Sequence, residues 1–279
     1  MFILQVQARV PNKLALALNY LKIRTLYDKR AILLESDSKQ NKNRYLVITD
    51  IHIGFEEKFR GSGVRILPSI ERMVLELESL IDEHRVTDLI VNGDVKSGID
   101  RILESEWENV PRFFLRLSKK CRVSVVPGNH DGGLSNLLPD GISLEDINGK
   151  LIEDTLILHG HTNPLIKFKD CKRLIIGHVH PIFQRKSSPL SGQPVWAFLK
   201  ISKKLVFREI LDEDFERDAL FEVVVMPSFN TELFSEGYTV EGERKDSSLV
   251  NRLKQSEDAV IVTLKGEVIG DKAILPSVL

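Results

Sequence analysis

Five short polar motifs, each following a short apolar run, constrain this chain more than any other feature. They are Asp50-Ile51-His52, Gly93-Asp94, Gly128-Asn129-His130-Asp131, His159-Gly160-His161 and Gly177-His178-Val179-His180. The runs ahead of them are Leu46-Val47-Ile48, Leu89-Ile90-Val91, Val123-Ser124-Val125-Val126, Leu156-Ile157-Leu158 and Leu174-Ile175-Ile176. Runs so short, rich in Val and Ile and bounded by Gly or Pro, read as strands buried on both faces. The motifs then stand at strand C-terminal ends, the rim where open α/β sheets gather ligands and where one wall of loops can bring distant residues together. The fold class expected is α/β.

Six of the seven histidines lie in these motifs, interleaved with Asp50, Asp94 and Asn129. Imidazole suits Zn, Fe, Mn and related ions, while carboxylate and amide oxygens suit harder ones, so the mixture favours a pair of first-row divalent ions. Asp94, alone after Gly93, has two oxygens and is the natural bridge between them. Two such ions would provide hydroxide at neutral pH and clamp the oxygens of an in-line displacement at phosphorus. Taken singly, the motifs are weak. Asp-x-His fits a turn beside a solvated histidine, Gly-Asp marks ordinary turns, Gly-Asn-His-Asp fits a left-handed turn, and Gly-His-Val-His fits the end of an alternating strand. Their joint occurrence in this order, each at a strand end, has no structural explanation that covers all five.

The motif set resembles that of the calcineurin-like metallophosphoesterase superfamily, with its D-x-H, G-D, G-N-H-D/E, H-G and G-H-x-H pattern, over Asp50 to His180. The segments Arg30 to Leu34, Gly54 to Glu57 and Val224 to Asn230 are similar to an ICC-like, SbcD-related prokaryotic branch. That resemblance implies a two-sheet β-sandwich flanked by helices. It also implies one metal on Asp50, His52, Asp94 and His180, and a second on Asp94, Asn129, His159 and His178. His130 would protonate the leaving alkoxide or stabilise phosphoryl charge, Asp131 would orient His130, and His161, with no required ligand role, would face substrate. The implied cofactors are two divalent ions, Mn first, with Fe, Zn, Ni or Mg as alternatives. The implied substrate is a phosphodiester, with DNA or RNA ahead of nucleotides. A homodimer and a helicase or ATPase partner follow by the same analogy alone.

Around the motifs the pattern is ordinary. Pro68 to Arg85, with Ile70, Met73, Val74, Leu77, Leu80 and Ile81 on one face, reads as a helix with His84 solvated at its end. Residues 100–120 read as a second helix, interrupted or kinked at Pro111. On it Trp107, Phe113 and Phe114 recur at helical spacing and are expected in the core rather than as a base-stacking platform. Val195 to Ile201 and Lys204 to Ile210 read as paired strands about Ser202-Lys203, with Phe221 to Met226 as another and Ala259 to Leu264 as the last. Asn230 to Asp258 reads as a polar surface excursion near the site. Residues 1–29 are open between a leading strand and a short helix. The whole chain is expected as one domain, with the motifs in residues 45–181 and the further sheet and loop in 190–279.

The balance of 39 basic and 40 acidic residues excludes a broad electrostatic appeal to nucleic acid or anionic membrane. Lys167, Lys169, Lys172 and Arg173, with Arg185 and Lys186, form a local basic stretch near the last motif. It reads either as a phosphate-attracting patch or as a solvated loop surface. Cys121 and Cys171 lack metal-type spacing and fit buried thiols of a reducing cytoplasm, and no run approaches the roughly 20 apolar residues of a membrane span. Three classes of function are compatible with these features. They are a dinuclear phosphoesterase, a silent scaffold of the same fold, and a nucleic-acid binder with structural metals. The complete ligand set favours the first.

Overall fold

The computed structural model describes residues 21–36, 43–59, 69–185, 187–207, 219–234 and 247–279. Its first sheet has six strands in sequence order: β1 (Lys22–Thr25), β2 (Ile32–Glu35), β3 (Arg44–Ile48), β4 (Asp88–Asn92), β5 (Arg122–Val126) and β6 (Ser143–Leu144). Strands β1 to β3 pair antiparallel and β3 to β6 parallel. Helix α1 (Ile70–His84) connects β3 to β4, and α2 (Glu104–Leu117) connects β4 to β5. The second sheet contains β7 (Lys150–Ile152), β8 (Thr155–Ile157), β9 (Arg173–Ile176), β10 (Val195–Ser202), β11 (Leu220–Val225), β12 (Asp258–Thr263) and β13 (Val268–Asp271), in the order β13-β12-β10-β11-β9-β8-β7. There β8, β9 and β11 run parallel, and the remaining pairs are antiparallel.

Successive side chains on a strand point to opposite faces, and in this chain both faces are apolar. Val47, Ile90 and Val126 of the first sheet pack against Ile157, Ile175, Trp196, Val224 and Val262 of the second, forming the core between the sheets. Their neighbours Leu46, Ile48, Leu89, Val91, Val123 and Val125 point outward to α1 and α2. Leu156, Leu174, Ile176, Val223 and Val225 do the same on the far side, toward Val206, Leu249, Val250 and Leu253. This explains why the runs ahead of the motifs are apolar at all but one position, Ser124, and it bears out the expected sandwich flanked by helices.

Helix α1 forms where the spacing placed it and buries the six apolar residues named for it. It ends at Arg85, which takes the left-handed conformation with φ 51°. Helix α2 is continuous through Pro111. Phe113 and Phe114 are in its core as expected, but Trp107 is 55% exposed. The inward position in the first turn of α2 belongs instead to Glu106, which is fully buried. Its carboxylate accepts from the N–H groups of Ser97, Gly98 and Leu103.

Other expectations are corrected after β9. Residues 203–206 form a short helix, α3 (Lys203–Val206), and not a strand paired with β10. Val206 and the following Phe207 bury into the outer core, and Lys203 donates to the carbonyl of Lys169. The partners of β10 are β11 and β12. Part of the supposed polar excursion is structured: α4 (Ser248–Leu253), capped by the Ser247 side chain, buries Leu249, Val250 and Leu253. Strand β13 had no anticipated counterpart. Residues 1–20, 208–210 and the charged run 241–246 lie outside the described residues.

Trp196 is the largest fully buried side chain, and its Nε1 has no hydrogen-bond partner among the described residues. Trp196→Ala is expected to cost about 3–5 kcal/mol. Trp196→Phe should cost clearly less, because no hydrogen bond is lost. Urea unfolding followed by circular dichroism checks this, and equal losses in the two variants would contradict the packing described.

Candidate metal centre

The motif strands divide between the sheets. Strands β3, β4 and β5 carry the first three motifs, while β8 and β9 carry the last two, so two walls of loops converge where one was expected. The convergence bends the backbone. Asp50, His52, Asp94, His178 and His180 all have positive φ, between 39° and 66°. Non-glycine residues adopt this conformation at a cost of about 1–2 kcal/mol each, and such outliers gather where surrounding contacts over-determine them. The glycines of two motifs make room for neighbouring loops, Gly93 across the two walls and Gly128 within the first. A Cβ on Gly93 would come within 2.2 Å of His159 Nδ1, and one on Gly128 within 2.2 Å of Asp94 Oδ1.

Two groups of donor atoms result, and Asp94 belongs to both. Asp50, His52, Asp94 and His180 offer atoms that all lie within 4.8 Å of one another, as do Asp94, His159 and His178. Oδ2 of Asp94 is 3.5 Å from His52 Nε2 and 3.3 Å from His159 Nε2, while Oδ1 accepts from the N–H of His130. Asp50 is divided in the same way. Its Oδ2 accepts from Thr49 Oγ1 and the His178 N–H, and its Oδ1 lies 2.8 Å from His180 Nε2 without the alignment of a hydrogen bond.

Asp50 Oδ1 and the Nε2 atoms of His52, His159 and His180 are buried and have no hydrogen-bond partner among the described residues. Buried polar atoms are almost always satisfied, so a cluster of unsatisfied acceptors and imidazole nitrogens aimed at one another fits a bound cation. His159 Nδ1 faces the carbonyl of Asn92 at 2.8 Å, which turns Nε2 toward the two carboxylates.

Burial opposes ionisation of both aspartates, but the histidines outweigh it. The charges of His180 and His159 hold Asp50 at about 2, and His159, His52 and His130 hold Asp94 well below the usual carboxylate range. Burial drives His52 down to about 3 and His161 and His178 to about 4. His159 goes the other way, to about 10, because the charges of Asp94 and Asp50 overcome its burial. The centre therefore presents ionised carboxylates beside the neutral imidazoles of His52 and His178, with the His159 proton held near the carboxylates. Ionised oxygens and neutral imidazole nitrogens are the forms that bind metal ions.

The remaining site candidates fall around this core. His130 is buried, with its ring 4.8 Å from that of His52 and its Nδ1 2.9 Å from the Ser97 carbonyl. The Asp131 carboxylate does not reach it. It accepts instead from the N–H groups of Val95, Lys96 and Gly128, and burial together with the Asp94 charge raises it to about 6. Asp131 thus braces the Gly93-Asp94 loop against the Gly128-Asn129 loop. Asn129 is exposed between Gly128 and His130. His161 is half-buried, with its ring 5.4 Å from that of His159 and 6.2 Å from that of His178.

In the basic stretch, Lys172 and Arg173 pair with Asp154, and Arg173 also donates to the Leu21 carbonyl. Lys186 lies outside the described residues. Residues that the motif reading passed over include Thr49, Asn92, Ser97, Glu106, Ser228 and Asn230. Thr49, Asn92 and Ser97 hold motif side chains directly, Glu106, Ser228 and Asn230 hold backbone groups of the loops, and of the six only Ser228 and Asn230 lay in a segment singled out by the resemblance.

Fold and centre together define a metal-dependent phosphoester hydrolase. The chain belongs to the calcineurin-like phosphoesterase family, whose sequence model it matches over residues 43–208. No curated protein matches it in sequence. Among solved structures, it resembles the nuclease MPE of Pseudomonas putida at 17% identity and a TM-score of 0.51, over 90% of this chain and 100% of that one. It also aligns with Yfce, a phosphoesterase from E. coli, at 15% identity and a TM-score of 0.36, over 81% of this chain and 97% of that one.

Asp131→Ala would leave three backbone donors without their acceptor and is expected to lower stability by about 2–4 kcal/mol. His130→Ala, which gives up one contact to Ser97, should cost less. Thermal unfolding of the two variants tests this order, and the reverse order would return Asp131 to a role limited to His130.

Proposed function

We propose that the chain is a dinuclear phosphodiesterase acting on nucleic acid. The observation that carries the dinuclear reading is the sharing of Asp94 by two donor groups, with Oδ2 turned to both and Oδ1 tied to the His130 N–H. In this reading Asp50, His52, Asp94 and His180 hold one ion, and Asp94, Asn129, His159 and His178 hold the other. Imidazole and carboxylate donors in this mixture suit Mn, Fe or Zn better than Mg alone, and Mn is the ion proposed first. When bound, such a pair activates water near neutral pH and neutralises charge at phosphorus.

The protein's own residues do the rest. Thr49 Oγ1 and the His178 N–H occupy Asp50 Oδ2 and leave Oδ1 for coordination. His159 is turned by the Asn92 carbonyl, so that Nε2 and not Nδ1 faces inward. His130 stands at the edge of the first group, and the Ser97 carbonyl holds its Nδ1 side. That leaves Nε2, 3.9 Å from Asp94 Oδ2, to donate a proton to the leaving oxygen. His161, beside His159 and His178, is positioned to meet substrate on the side of the second group.

Two lines support the nucleic-acid substrate: the motif resemblance to the SbcD-related branch, and the nuclease activity of the Pseudomonas putida protein whose whole length the fold matches. The two cysteines form no disulfide, which is consistent with a reducing cytoplasm, and no described helix is long and apolar enough to cross a membrane.

Hydrolysis of single- and double-stranded DNA, RNA, cyclic nucleotides and an aryl phosphodiester, with Mn²⁺ and with chelator, ranks the substrates. Cleavage of the small phosphodiesters with nucleic acids left intact would remove the substrate assignment. Asp94→Ala is expected to abolish both metal binding and turnover. A variant that still held two ions tightly would sink the bridging assignment. His130→Ala should keep both ions and slow turnover by about 10²–10⁴-fold, as for loss of a general acid, and an unchanged rate would remove it from catalysis.

A further inference from the structure

The turn that carries Asp50 and His52 is held on its two sides by different sheets. Its N–H groups bond within the first sheet: Asp50 to the Gly93 carbonyl at 3.1 Å, His52 to Asp94 at 2.9 Å and Ile53 to Val95 at 2.8 Å. Its carbonyls face the segment that leaves β11 in the second sheet. Phe229 N–H donates to Thr49 at 2.8 Å, Ser228 Oγ to Asp50 at 2.8 Å and Asn230 Nδ2 to Ile51 at 2.9 Å. The Asn230 N–H adds a longer bond to Asp50 at 3.4 Å. Ser228 and Asn230 are both fully buried.

The same segment is fixed to the loop that brings His178 and His180. Its parent strand β11 pairs with β9 directly ahead of that loop, and Met226 N–H donates to Ile176 at 2.8 Å. Three carbonyls in a row, across a turn with φ of 55° at Asp50 and 39° at His52, are therefore referenced to the strand pair that positions His178 and His180; of the residues so held on the first sheet's side, Asp50 and His52 belong only to the first donor group. Asp94, His159 and His178 receive no bond from residues 228–230 among the described residues.

We infer that Ser228 and Asn230 are positioning residues for the first donor group alone. They hold Asp50 and His52, which come from one sheet, at coordinating distance from His180, which comes from the other. Neither residue supplies a ligand. Their hydrogen bonds hold the left-handed turn that aims Asp50 Oδ1 and the His52 ring at His180. The inference rests on the dinuclear reading above, and the test separates its failure from failure of that reading.

Metal-free full-length protein is titrated with Mn²⁺ while free ion is followed by electron paramagnetic resonance. Ser228→Ala is introduced into two backgrounds: His159→Ala, which leaves the first group intact, and His180→Ala, which leaves the second. In the His159→Ala background Ser228→Ala is expected to weaken the remaining ion by about 10–100-fold, the usual effect of removing a hydrogen bond that orients ligands. In the His180→Ala background it should change nothing. Asn230→Ala should repeat the pattern, and Ser228→Thr, which keeps the hydroxyl, should restore binding.

Equal weakening in both backgrounds would show general loosening and overturn the inference, as would no weakening in either. Parent protein that binds fewer than two ions would instead overturn the dinuclear reading and the inference with it. If Ser228→Ala does not fold, Ser228→Cys, nearly isosteric but a weak donor, carries the same comparison.

Discussion

Everything at the functional end of this molecule depends on placing two ionised, buried carboxylates, Asp50 and Asp94, where the ends of two sheets meet. Buried charge is costly unless it is paired and hydrogen-bonded. The structure meets that cost from both sides. One oxygen of each carboxylate is tied to backbone or to Thr49, and the other is left toward imidazoles. The requirement fixes where the motif loops stand and keeps Gly93 and Gly128 without side chains. It also accounts for five left-handed non-glycine residues clustered at one place.

The sandwich supplies the rigidity that this arrangement needs. Strands apolar on both faces lock the core between the sheets and the outer cores beneath the helices into one register. A slip of one residue would turn each strand inside out. The loops therefore leave the sheets at fixed points. Hydrogen bonds that cross between sheets, from His178 to Asp50 and from residues 228–230 to residues 49–51, convert two separate rims into one centre. Family membership and geometry agree on phosphoester hydrolysis. Choice among phosphoesters belongs to the surface around the centre, since this type of scaffold serves many substrates.

Much of this was legible in the sequence. The short apolar runs located the strands, the heptad-like face of α1 located that helix to within two residues, and the motif order named the clustered side chains. Three misreadings have a common cause. Trp107 fell at helical spacing, but Glu106 took the inward position because three backbone donors needed its carboxylate. Residues 204–207 looked like a strand, yet curl so that Val206 and Phe207 reach the outer core. Asp131 adjoined His130 but turned to the backbone of two loops. In each case tertiary demand for a hydrogen bond or for burial outweighed local pattern.

The sequence by itself determined the chemistry on offer: which imidazoles, carboxylates and amide belong together, and that they follow strands. Residue type and order are local properties, and strand ends can be read from apolar runs. Only the tertiary structure decided that three motifs come from one sheet and two from the other, that Asp94 serves both groups through a single oxygen, and that Ser228 and Asn230 brace a turn about 180 residues away in the chain. Those outcomes depend on how two sheets pack face to face and on which backbone groups are left to be satisfied, and neither is encoded at any one position.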